Sequence, residues 1–175
     1  HWTADEMLGC IVRSHQGHWL GAQESGIFHL TPQADGRLLA DKRASVEHAR
    51  PGMRFNDGRC DRQGRFWAGT MQTNMGAEPV GALYRYDATA DATVNPLQAR
   101  LDKLIVPNGM AFSPDGKTLY ISDSHPSVQL IWAFDYDIDS GTPHNRRIFV
   151  DMNQHAGRPD GAAVDAEGCY WICAV

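Results

Sequence analysis

Arg54-Phe55-Asn56-Asp57-Gly58-Arg59-Cys60-Asp61-Arg62-Gln63-Gly64-Arg65-Phe66-Trp67 reads as a strand, a tight turn at a polar-Gly pair, and a second strand carrying aromatics. The same plan returns three more times. Gly9-Cys10-Ile11-Val12 leads to Gln16-Gly17-His18-Trp19, and Gly109-Met110-Ala111-Phe112 leads to Asp115-Gly116-Lys117-Thr118-Leu119-Tyr120. Gly161-Ala162-Ala163-Val164 leads to Glu167-Gly168-Cys169-Tyr170-Trp171. The leading glycines lie about 50 residues apart, and a repeat of that length built from strands and turns means a β-propeller or a similar all-β array.

Working outward, each unit supplies further strands. In the first, Ala4 to Ser14 is strand material, followed by His18 to Ala22, Gly26 to Leu30 and Arg37 to Ala40, with 41–52 as a connector. The second unit gives Asn56 to Asp61, Phe66 to Thr70 and Ala82 to Tyr86, with a loop from Met71 to Val80. The third gives Met110 to Ser113, Thr118 to Asp123, Leu130 to Tyr136 and Arg147 to Val150. The fourth begins at Gly161. No segment shows a sustained helical period, so the fold class is all-β. The 175 residues hold about three to three and a half blades, whereas closed propellers use about four to eight. The expectation is therefore one partial propeller domain over 1–175, an internal piece of a longer chain truncated at both ends, with closure by dimerisation as the lesser alternative.

The formal net charge is −5 and no basic run occurs, which argues against a nucleic-acid partner. No apolar stretch of membrane-spanning length and no signal peptide is present, and the expected location is cytoplasmic. Cys10 and Cys60 sit on strands of different blades and read as buried, reduced thiols; Cys169-x3-Cys173 lacks zinc-site spacing. His15 and His18 flank a turn and read as surface residues, and Ser122 and Ser124 lack a nucleophile-elbow motif.

The residue before the leading glycine is Asp57, Asn108 and Asp160 in the last three copies. Repeat-equivalent positions in a propeller converge on one axis, so these oxygens form a candidate polar ring and cation site. Singly, Asn-Asp-Gly, Pro-Asn-Gly and Pro-Asp-Gly are also ordinary turn sequences. Asn108 and Asp160 offer the neutral and anionic oxygen that Ca²⁺ and Mg²⁺ favour and that Zn²⁺ or Mn²⁺ tolerate. Arg54 can hold a ligand oxygen or a carboxylate, and Asn56 offers a donor and an acceptor to a sugar hydroxyl. Asp123, after a predicted strand, is a second-tier ligand or substrate contact.

These segments resemble the gluconolactonase/regucalcin (senescence marker protein) family. The resemblance rests on Arg54-Phe55-Asn56-Asp57-Gly58 with Gly64-Arg65-Phe66-Trp67-Ala68-Gly69-Thr70-Met71, on Pro107-Asn108-Gly109-Met110-Ala111-Phe112-Ser113, and on Arg158-Pro159-Asp160-Gly161. It implies a six-bladed propeller with one divalent cation (Ca, Zn, Mn or Mg) at its axis and hydrolysis of a sugar lactone. It implies Asn108 and Asp160 as metal ligands, Asp160 also as general base, and Arg54 and Asn56 as substrate contacts. Asn74 stands, by position only, where some members carry an acidic substrate contact. The family's first-blade glutamate ligand has no counterpart here, since neither Glu6 nor Glu24 sits in its Glu-Gly-Pro-like context, so this stretch alone is expected to be inactive. The alternatives are a calcium-binding protein of the regucalcin kind without significant turnover, and a non-catalytic scaffold.

Overall fold

The computed structural model describes residues 1–14, 17–90 and 94–175. His15 and Gln16, and with Gln16 part of the first expected turn, lie outside the described residues. The first blade is a sheet of β1 (Leu8–Arg13), β2 (Trp19–Gln23), β3 (Gly26–Pro32) and β4 (Leu38–Ser45), in chain order. The second holds β5 (Met53–Cys60), β6 (Phe66–Gln72), β7 (Gly81–Tyr86) and β8 (Leu97–Leu104). The third holds β9 (Pro107–Phe112), β10 (Thr118–Asp123), β11 (Leu130–Asp137) and β12 (Thr142–Asp151). A 3₁₀ turn, Met152–Gln154, capped by the Asp151 side chain, leads to the two-stranded sheet of β13 (Pro159–Val164) and β14 (Tyr170–Ala174). Every pairing inside these sheets is antiparallel, and no helix among the described residues is long and apolar enough to cross a membrane.

The first strands of the sheets, β1, β5, β9 and β13, lie side by side and run in chain order across the molecule. This is the partial propeller that the repeat predicts. Several bounds differ; β1 begins later, at Leu8, and β5 and β12 begin earlier, at Met53 and Thr142. β4 runs on to Ser45, into the expected connector, because Ala44 packs into the core between the first two blades. β8 is an additional strand; Leu97, Ala99 and Leu101 alternating with Gln98, Arg100 and Asp102 is its signal in the sequence, and Lys103 at φ 59° interrupts it.

Apolar faces of successive blades stack to form the core. Phe55, Phe66 and Ala68 meet Ile27 of the first blade, and Trp67 and Leu83 meet Phe112, Trp132 and Phe134 of the third. Glycine permits the closest approach of inner strands. A side chain at Gly9 would collide with the Phe55 carbonyl, and Gly109, at φ 57°, would bring a Cβ within 2.9 Å of the Asp160 carbonyl.

A buried polar knot ties the second blade to the third. Asp61 accepts from the Gln63 amide (3.0 Å), the Arg65 amide (2.9 Å), Arg65 Nε (2.6 Å), Trp67 Nε1 (3.3 Å) and the Tyr136 hydroxyl (2.6 Å). Arg65 in turn donates to the carbonyls of Ile138 and Asp139. Every strong acceptor and donor is matched, which is the condition for burying an ion pair without a large penalty. Burial pushes the Cys10 thiol up, and that of Cys60 up to about 11, so both stay neutral, as expected of thiols between blades.

Candidate active-site cavity

The starts of β5, β9 and β13 meet at one end of the arc around a cavity of about 170 Å³. Arg54, Asn56, Asn108, Asp160, Arg158 and Ser124 supply its polar lining, and Met71, Met75, Val106, Pro159 and Val175 the apolar part. Four of the residues singled out in the sequence thus converge, from three successive blades.

A local irregularity re-aims each of the three strands. The pairing register slips between Phe55 and Gly58 in β5, between Asn108 and Ala111 in β9, and between Pro159 and Ala162 in β13. Such bulges turn side chains out of the strand's regular alternation. The slips take in Asn56 and Asp57 in β5 and Asp160 in β13, while Asn108 stands at the edge of the slip in β9. Asp57 lies inside the β5 slip and does not line the cavity; its Oδ2 accepts from the Met110 amide at 3.0 Å, tying β5 to β9. The three-membered ring of Asp57, Asn108 and Asp160 is therefore a pair plus one inter-blade tie. Burial pushes the Asp57 carboxyl up, against the pull of the Met110 and Gly58 amides and of Arg59, and the Asp160 charge adds to the rise.

Asn108 and Asp160 are in direct contact, with Asn108 Nδ2 donating to Asp160 Oδ1 at 2.6 Å. Asn108 is buried, and its Oδ1 accepts from the Gly109 amide at 3.0 Å, leaving one lone pair. Asp160 Oδ2 takes no hydrogen bond among the described residues. Arg54 and Asn56 form a second pair. Arg54 Nη1 donates to Asn56 Oδ1 (3.0 Å) and to the Phe55 carbonyl (2.9 Å), while Asn56 Nδ2 donates to the Pro107 carbonyl (3.1 Å). Both side chains are half-buried and fixed before any ligand arrives.

Asn74 is exposed on the loop after β6, and its Oδ1 accepts from the Gly76 amide at 3.1 Å. It does not line the cavity, but its neighbour Met75 does. Asp123 is spoken for elsewhere. Its buried carboxylate accepts from the amides of Ile105 (2.7 Å), Val106 (3.0 Å) and His125 (3.1 Å), which holds the turn that delivers Asn108. It is a positioning residue with no reach to the cavity. Ser124 donates its hydroxyl to the Pro159 carbonyl and so braces β13; the sequence reading gave it no role. Arg158, absent from the expected site residues, lines the cavity.

Asn108 and Asp160 fit a hard divalent cation in kind, with one amide oxygen, one carboxylate oxygen and a shared opening. Among the described residues no group of three or more His, Cys, Asp or Glu is placed to hold a metal ion.

An arc of three four-stranded antiparallel blades and a two-stranded one, with a polar cavity where the inner strands begin, defines the class, a partial propeller. The chain belongs to the family described as SMP-30/Gluconolactonase/LRE-like region, whose model matches residues 1–175. It is 40% identical over 167 residues to the 6-deoxy-6-sulfogluconolactonase of Pseudomonas putida, covering 95% of this chain and 53% of that protein. It is 33% identical over 170 residues to the regucalcin of Danio rerio, covering 97% and 54%. The crystal structure of regucalcin, a calcium-binding protein from Agrobacterium tumefaciens, superposes with a TM-score of 0.83 at 27% identity, covering 97% of this chain and 54% of that one. The chain thus spans about half the length of the curated relatives it matches.

Proposed function

We propose that the protein is a metal-dependent hydrolase that opens a sugar lactone. The observation that carries this reading is the convergence of Arg54, Asn56, Asn108 and Asp160 on one cavity from three blades. The lactonase relatives, among them a pentonolactonase of Haloferax volcanii at 30% identity, support it.

The chemistry follows from the side chains. A lactone is an activated ester, and water attack places negative charge on its carbonyl oxygen. Asn108 and Asp160 are the residues that would hold a divalent cation, which would supply countercharge to that oxygen. Asp160 Oδ2, without a donor among the described residues, accepts the proton of the attacking water. Arg54 and Asn56, locked to each other and to the backbone, hold the ring hydroxyls so that the carbonyl faces Asp160. Asn74 is proposed as a contact at the rim, through the loop that also carries Met75.

Proton release from a panel of aldonolactones, with and without chelator, tests the proposal. Chelator-sensitive hydrolysis of at least one lactone is the expected result. Cation binding with no turnover on any of them would contradict it and favour a regucalcin-like binding role.

A further inference from the structure

Arg158, the residue before β13, differs from Arg54 and Arg59 of β5 and from Arg65. Arg59 donates to the carbonyls of Met110 and Ala162, Arg54 to Phe55 and Asn56, and Arg65 to Asp61 and two carbonyls. The Arg158 guanidinium makes no hydrogen bond or ion pair among the described residues. Its backbone is nonetheless fixed, with its amide donating to the Val175 carbonyl at 2.7 Å and its carbonyl accepting from the Val175 amide at 3.0 Å. Arg158 is half-buried and lines the same cavity as Arg54, and the next residue, Pro159, is buried.

The charge balance of the cavity points the same way. Its lining holds two guanidiniums and one carboxylate, Asp160. On the lactonase reading Asp160 is engaged with the cation and the water proton, so it cannot also neutralise Arg158. A half-buried guanidinium with no partner among the described residues keeps its donors for a ligand. Its planar fork of donors matches the geometry of carboxylate, sulfonate and phosphate groups. Met71, Met75 and Val106 supply an apolar strip for the carbon chain between the two ends of such a ligand.

From these observations we infer that Arg158 is a specificity-determining residue, and that the substrate is an acidic sugar lactone whose anionic substituent, remote from the ester, pairs with this guanidinium. The inference rests on the lactonase reading for the reaction but not for the anion subsite itself.

The test compares kcat/KM for a neutral six-carbon aldonolactone with its counterparts bearing a carboxylate, a phosphate or a sulfonate at the far carbon. Wild type, Arg158→Gln and Arg158→Lys are assayed in the whole protein. The wild type is expected to favour at least one anionic lactone over the neutral one by tenfold or more, and the three substituents show which oxyanion is meant. That ratio should fall at least tenfold in Arg158→Gln and recover in part in Arg158→Lys, which also serves if the glutamine variant fails to fold. Calorimetric binding of glucarate, a ring-opened dianion, supplies a readout independent of turnover and should weaken tenfold or more in Arg158→Gln. An unchanged ratio with unchanged glucarate binding would overturn the inference while leaving the lactonase reading intact. Loss of glucarate binding with no hydrolysis of any lactone would do the reverse.

Discussion

Asp61 and Asp160 are both carboxylates borne at the ends of inner strands, and the structure treats them in opposite ways. Asp61, at the exit of β5, is fully buried and saturated by Arg65, Trp67, Tyr136 and two backbone amides. Asp160, at the entrance of β13, has one side-chain donor, Asn108, and faces a cavity. A carboxylate whose lone pairs are all claimed holds the fold together, whereas one with a free oxygen is available for chemistry. Asp123 belongs with Asp61, its lone pairs taken by backbone amides. Among these three carboxylates the one with the fewest donors is the one that lines the cavity.

The largest effect is expected where saturation is greatest. Asp61→Ala leaves the Arg65 charge buried and unpaired, and should destabilise the chain by about 3–5 kcal/mol in denaturant unfolding. A loss under about 1 kcal/mol would mean that the knot is incidental to stability.

The motif itself gives a matched control. Asp165-x2-Gly168-x2-Trp171 repeats Asp61-x2-Gly64-x2-Trp67, and in both the indole N–H donates to the aspartate, at 2.7 and 3.3 Å. Trp67 is 0% exposed beneath Tyr136 and Phe112, while Trp171 is 64% exposed. In the 175-residue chain taken by itself, Trp67→Ala should cost about 3–5 kcal/mol and Trp171→Ala stay within about 0.5 kcal/mol. Equal costs would show that the local strap, and not the neighbouring blade, determines the energetics.

Smaller in energy but easy to read is the contrast among the thiols. Cys10 and Cys60 are half-buried with raised pKa values, and Cys169 and Cys173 are exposed. Iodoacetamide at pH 8 should modify Cys169 and Cys173 in the folded protein and spare Cys10 and Cys60 until denaturant is added. Labelling of all four at similar rates would place the inner strands wrongly.

Much of this was legible beforehand because repeats are written in local signals. A polar-Gly turn and an alternating strand announce themselves within ten residues, and four copies fix the architecture. Arg54, Asn56, Asn108 and Asp160 were legible because they flank the leading glycines. Asp57 misled for the same reason. It matches Asn108 and Asp160 in the repeat, but its Oδ2 is taken by the Met110 amide of β9, whereas Asn108 and Asp160 line the cavity. Repeat position in sequence is not position in the cavity, because an amide of the neighbouring blade claims the Asp57 side chain. The saturation of Asp61 and Asp123 was hidden as well, since Tyr136 reaches Asp61 from 75 residues away. The open valence of Arg158 likewise depends on what surrounds it in the fold.

The direct test of the site is Asp160→Asn in the whole protein, followed by calcium titration calorimetry and lactone hydrolysis on the same sample, with a thermal melt as control. The free Oδ2 and its charge should matter to function and little to folding. The expected result is weakened cation binding, turnover reduced by at least about a hundredfold, and a melting temperature close to wild type. Wild-type cation affinity and wild-type turnover in Asp160→Asn would contradict the account.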